Sequence, residues 1–111
     1  MSTTGPAGPL VIKIGGTTLE EQSASPELWR ALAALAAKHE GGVVLLHGGG
    51  KAVDRHLARL GFATQRREGI RITPPDQIGE IVAVLAGSVN KGLVATINAA
   101  GGNAVGLCLG D

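Results

Sequence analysis

Residues 43–50 read Val43-Val44-Leu45-Leu46-His47-Gly48-Gly49-Gly50. Four consecutive apolar residues, the first two β-branched, predict a short strand buried on both faces, since a half-exposed strand would alternate with polar residues. The glycines then force a turn, and from Lys51 a helix follows with Val53, Leu57 and Leu60 on one face. Upstream the same pattern appears once more: Pro9-Leu10-Val11-Ile12-Lys13-Ile14-Gly15-Gly16 is an apolar strand stopped by paired glycines. Between the two strands, Ser25-Pro26-Glu27 opens a helix, with Ser as N-cap, Pro at the first helical position and an acid in the first turn. Leu28, Leu32, Leu35 and Ala36 repeat at helical spacing, and Gly41-Gly42 close the helix after Lys38 and His39. Strand, helix, strand, glycine turn, helix is the order of a parallel sheet with covering helices. The predicted class is therefore α/β, a three-layer αβα sandwich with a mainly parallel sheet.

Further along, Phe62–Arg67 and Ile70–Thr73 read as two short strands turning near Gly69. Thr73-Pro74-Pro75-Asp76 is a second helix start, with Thr73 able to cap and Asp76 three residues on. Ile78, Ile81, Val82 and Leu85 form its stripe, Gly87 interrupts, and Val89, Leu93, Val94 and Ile97 carry a helical pattern to Ala100. Gly101-Gly102 end it, and Ala104–Leu109 reads as a third core strand leading into Gly110-Asp111. Residues 1–8 are expected to be a disordered or loosely held lead, and 9–111 one domain.

Composition narrows the function classes. A chain of 111 residues has room for one domain and needs no disulfide or metal staple to fold. The 18 glycines follow no collagen-like period, so they point to tight turns and close backbone approaches. A net charge of +1, with Trp29 and Phe62 as the only aromatics, argues against a nucleic-acid surface. Cys108 stands alone, which excludes an internal disulfide and a thiolate metal cluster, and it is expected to be buried and inert. No run of about 18 apolar residues is present to span a membrane. Met1–Pro9 lacks the basic-then-apolar order of a secretory signal, so a cytoplasmic protein is expected.

Chemistry concentrates at the two glycine turns, Gly15-Gly16 and Gly48-Gly49-Gly50. They fall at the carboxyl ends of parallel strands, the edge at which open α/β sheets bind ligands. Glycine lets backbone N–H groups approach phosphate or carboxylate oxygens without a Cβ in the way, and the following helix N-terminus favours negative charge. On their own the glycines read first as plain turns. Lys13 shifts the balance, because an ammonium in an apolar strand is costly unless it reaches water, a partner or an anion. Neither run ends in Gly-Lys-Ser/Thr, and no Gly-x-Gly-x-x-Gly is present. His47 is either catalytic or, on the reading preferred here, a hydrogen-bonding support for the turn. Arg71, between Ile70 and Ile72, suits a bidentate grip on a carboxylate, or else an ion pair with Glu68 or Glu80. Asn90 and Asn98 are either exposed on their helix or lining the site.

Five segments taken in order resemble the amino acid kinase family, and within it the N-acetyl-L-glutamate kinases: Val11–Gly16, His47–Gly50, Gly69–Thr73, Leu85–Lys91 and Ala104–Asp111. The resemblance runs from Val11 to the end of the chain and matches the amino-terminal, acyl-amino-acid-binding half of those enzymes. It implies ATP-dependent phosphorylation of the side-chain carboxylate of N-acetyl-L-glutamate to an acyl phosphate, a step of arginine biosynthesis. Carried over by position, Lys13 stabilises the transferring phosphoryl group. Gly15, Gly16 and Gly48 offer N–H groups to phosphate oxygens, Gly49 and Gly50 bind the substrate, and Arg71 holds its α-carboxylate.

ATP with Mg2+ is the implied co-substrate, while the adenine site and the second lysine belong to the half that this chain does not match. The chain alone is accordingly expected to be inactive and to bind substrate weakly. Lys51 stands where many members have Pro. A lead too short for the extra amino-terminal helix of arginine-inhibited members implies an arginine-insensitive homodimer, packed through the Thr73–Ala100 helices. Alternative readings are a kinase for another acylated acidic amino acid such as an α-aminoadipate derivative, a non-catalytic ligand-binding domain, or a folding unit alone.

Overall fold

A computed structural model describes residues 8–111; the lead expected over residues 1–8 lies, Gly8 excepted, outside the described residues. The two apolar runs are strands, β1 (Leu10–Ile14) and β2 (Val43–His47), paired in parallel with Leu10 opposite Val43 and Ile14 opposite His47. Between them come a short helix α1 (Gly16–Glu20), a 3₁₀ turn (Gln22–Ala24) and α2 (Pro26–Lys38). After β2 follow α3 (Gly50–Arg59) and an antiparallel hairpin of β3 (Gln65–Arg67) and β4 (Ile70–Ile72). Glu68 and Gly69 both have positive φ at its tip. The chain closes with α4 (Pro75–Val82), a π-helical segment (Ala83–Val89) and α5 (Asn90–Ala99). The class is α/β with a parallel sheet, as the strand and helix order requires.

Strand alternation decides where the core forms. Ile12, Ile14 and Leu45 point to one side, where Leu19, Trp29 and Leu32 meet Leu93 and Ile97 of α5. A second cluster, Val53, Leu57 and Val84, joins α3 to the long carboxyl-terminal helix. Trp29, buried in the first cluster, also satisfies its indole by donating to the Gln22 carbonyl at 2.7 Å.

Several expectations are corrected. β1 and β2 are not covered on both faces: Val11 is 61 % exposed, Val44 44 % and Leu46 50 %. Ser25 and the Thr73-Pro74 start make no side-chain cap, and Pro74, not Thr73, precedes α4. Gly87 does not break the helix, because the backbone widens to π pitch and continues into α5. The continuous helix Pro75–Ala99 is long and apolar enough, by length and composition, to cross a membrane, contrary to the reading of the sequence. Its Val84, Leu93 and Ile97 nevertheless pack into the two cores.

Ala104–Leu109 forms no strand. Side chains of α5 take its backbone groups instead. Asn98 accepts from the Ala104 N–H at 2.6 Å and donates to its carbonyl, Lys91 donates to the Gly106 carbonyl, and Asn90 donates to that of Leu107. Val105, Leu107 and Cys108 are consequently exposed, so Cys108 is not buried. Between this segment and β2 runs a groove of about 1340 Å³ lined by α2, β2 and α5.

Candidate functional site

Parallel pairing fixes the site. Ile14 and His47 are register partners, so Gly15-Gly16 and Gly48-Gly49-Gly50 leave the sheet side by side at its carboxyl edge. The first bend runs directly into α1 and the second into α3, whose first N–H groups have no partner within the helix. An ion pair between Glu20 and Arg55 at 2.8 Å ties those two helices together. Gly49 has φ +146°, and a Cβ there would press on Leu85 and Val89 of the π-helical segment at 3.0 and 3.2 Å. Only glycine fits that bend.

Lys13 pairs in register with Leu46 and is exposed on the uncovered face. Its ammonium takes part in no hydrogen bond or ion pair among the described residues, and it lies two residues before the first bend.

Arg71 is brought to the second bend by the hairpin, its Nη2 lying 3.4 Å from the Gly50 carbonyl. It pairs with neither Glu68 nor Glu80. Its partner is Asp54 of α3, with Nη2 to Oδ1 at 2.5 Å, while Arg66 reaches Asp54 Oδ2 at 3.4 Å. Glu80 instead meets His56 at 2.7 Å. The Arg71 side chain is 15 % exposed, and its Nη1 is buried without any hydrogen-bond partner. The hydrogen bond from Arg71, with the positive charge of Arg71 and Arg66, holds the Asp54 carboxyl below the ordinary carboxylate range against a smaller opposing effect of burial.

His47 donates from Nδ1 to the Gly48 carbonyl at 2.9 Å, and its Nε2 lies 3.0 Å from Nδ2 of Asn90, which is buried. Asn98 is occupied with Ala104 and stays exposed. Sequence reasoning missed Asp54 and Lys91. The spacing held a signal for Asp54, since residues four apart share a helix face and Asp54 follows Gly50 by four.

The Amino acid kinase family matches residues 8–111. The chain belongs to that family. Among curated relatives, this amino acid kinase chain is similar to the acetylglutamate kinase of Colwellia psychrerythraea, 50 % identical over 93 % of this chain and 38 % of the relative. It is also similar to acetylglutamate kinases of Pectobacterium atrosepticum, 44 % identical, and Yersinia pestis, 46 % identical, each over 93 % of this chain and 40 % of the relative. The chain thus spans about two-fifths of the length of the curated relatives it matches.

Proposed function

We propose that this chain is the acyl-amino-acid-binding part of a kinase that phosphorylates the side-chain carboxylate of N-acetyl-L-glutamate, with ATP as donor. The relatives, named as acetylglutamate kinases, support the reaction class. The observation that carries the assignment is Arg71, a guanidinium anchored through Nη2 to Asp54 and the Gly50 carbonyl while its buried Nη1 stays unbonded. Burying N–H donors without a partner costs about 1–3 kcal/mol, and an incoming α-carboxylate removes that cost.

In this account the substrate is gripped at Arg71 and the second bend, with its side-chain carboxylate directed between the two bends. A carboxylate oxygen attacks the γ-phosphorus, the bond from phosphorus to the bridging oxygen breaks, and ADP leaves with that electron pair. Catalysis is positioning plus charge stabilisation, with no covalent enzyme intermediate. The N–H groups of Gly15, Gly16 and Gly48 offer donors to the phosphoryl oxygens, those of Gly49 and Gly50 to the substrate, and Lys13 supplies a positive charge. Among the described residues no three His, Cys, Asp or Glu side chains converge on one point. Mg2+ would arrive with the nucleotide. A cytoplasmic homodimer packed through the Thr73–Ala100 helices, serving arginine biosynthesis, is the setting consistent with this reading.

Calorimetric titration of N-acetyl-L-glutamate into the folded 111-residue chain tests the proposal. Saturable heat, lost in Arg71→Lys because a point charge cannot replace the planar fork, is the expected result. Heat equal to the buffer blank contradicts it. Stronger binding of an N-acetylated α-aminoadipate would move the substrate assignment to that longer side chain.

A further inference from the structure

We infer that Asn90 and His47 act in series as positioning residues, fixing the Gly48–Gly49 peptide so that the Gly49 N–H is presented to an anion; the anion's identity rests on the reading under Proposed function. The polarity of the hydrogen bonds carries this. Lys91 Nζ lies 3.0 Å from Asn90 Oδ1, and an ammonium can only donate, so that atom is the amide oxygen. The amide nitrogen is then the atom that meets His47 Nε2 at 3.0 Å and the Leu107 carbonyl at 3.3 Å. An amide N–H donates to both, which requires Nε2 to be the unprotonated ring nitrogen. The ring proton sits on Nδ1 and is donated to the Gly48 carbonyl at 2.9 Å.

One end of this relay is anchored in the fold and the other in the bend. Asn90 is only 7 % exposed and packs against Gly106, where any Cβ would overlap its amide oxygen. In a trans peptide the C=O of one residue and the N–H of the next point in opposite directions. Drawing the Gly48 carbonyl towards His47 therefore turns the Gly49 N–H away from the ring. Glycine alone suits position 49, since a Cβ there would press on Leu85 and Val89. Without the relay, the Gly48–Gly49 peptide is free to turn and offer its carbonyl, which repels anions.

Nuclear magnetic resonance on the ¹⁵N-labelled 111-residue chain tests this without any assay of turnover. Multiple-bond correlation spectra at mildly alkaline pH are expected to show His47 neutral and protonated at Nδ1. Asn90→Leu is expected to shift the Gly49 amide resonance and to weaken N-acetyl-L-glutamate binding about fivefold, the effect of one ordinary hydrogen bond. His47→Asn, whose amide can replace the Nδ1 donor, should keep the wild-type Gly49 resonance and affinity, whereas His47→Leu should behave like Asn90→Leu. Should Asn90→Leu fail to fold, the two His47 variants decide the matter. A proton on Nε2, or a Gly49 resonance unmoved in folded leucine variants, overturns the relay. Absence of N-acetyl-L-glutamate binding by the wild-type chain removes the substrate assignment, while the tautomer and the Gly49 shift still decide the peptide's orientation.

Discussion

Ile14 stands directly opposite His47 in the parallel register of β1 and β2, and this one pairing sets Gly15 beside Gly48. A register shifted by one residue would turn every side chain of a strand to the other face, exposing Ile14 and burying Lys13. The buried contacts of Ile14 with the α2–α5 core thus hold the two bends at a common height. The site is a consequence of core packing.

The Lys13 ammonium has no protein partner among the described residues, and under the proposed function its charge serves the transition state. In an active enzyme carrying this sequence, Lys13→Ala should lower turnover by about 10²–10³-fold, the cost of removing one preorganised electrostatic group. N-acetyl-L-glutamate affinity should barely change. Steady-state kinetics check this; unchanged turnover removes Lys13 from the mechanism.

Asp54 positions Arg71 and adds a pH dependence. Its carboxyl titrates lower in the folded chain than in the unfolded chain, chiefly because of the hydrogen bond from Arg71. A depressed folded value stabilises the ionised state, so the contribution is fully present above about pH 4, the unfolded value, and is lost as pH falls through the folded one. Urea midpoints measured downwards from pH 6 should fall less steeply for Asp54→Asn than for the wild type, and the variant should bind N-acetyl-L-glutamate several-fold more weakly. Parallel pH profiles would contradict this.

Gly49→Ala combines a strained φ with contacts against Leu85 and Val89. It should destabilise the chain by about 1–3 kcal/mol, seen as a lower urea midpoint. Gly48→Ala meets nothing within 4 Å and has no positive φ, so its midpoint should stay near the wild-type value. Equal effects of the two substitutions would rule out the packed bend.

The uncovered face of the sheet makes a further prediction. Val11, Val44 and Leu46 form an exposed apolar patch beside the free edge of β2, and such patches drive association. Light scattering should show mass rising with concentration for the 111-residue chain, and less so for Leu46→Lys. A strictly monomeric wild type would contradict it.

Much of this architecture was legible because local signals and tertiary environment agree. The β-branched runs at Val11–Ile14 and Val43–Leu46 end in glycine, and they became the parallel strands that place both bends. Gly69 likewise announced the hairpin. The segment Ala104–Leu109 carries an equally apolar signal, yet it pairs with no strand, and Asn90, Lys91 and Asn98 bind its carbonyls instead. The exposure of Cys108 follows from that. Asp54 pairs with Arg71 across 17 residues and two elements, a relation no short window contains, and both sequence candidates, Glu68 and Glu80, were chosen for proximity along the chain. The π pitch of Ala83–Val89 escaped because seven residues are too few to separate its period from that of an α-helix.

Under the proposed function the two bends and Arg71 form one preformed cradle for acidic oxygens. The decisive measurement is a titration of N-acetyl-L-glutamate into the ¹⁵N-labelled chain, following glycine amide and arginine side-chain resonances. Saturable shifts centred on Gly49, Gly50 and Arg71, with smaller ones at Gly15 and Gly16, are expected. Shifts confined to the groove between β2 and residues 101–110, or no shifts from a folded chain, would contradict the account.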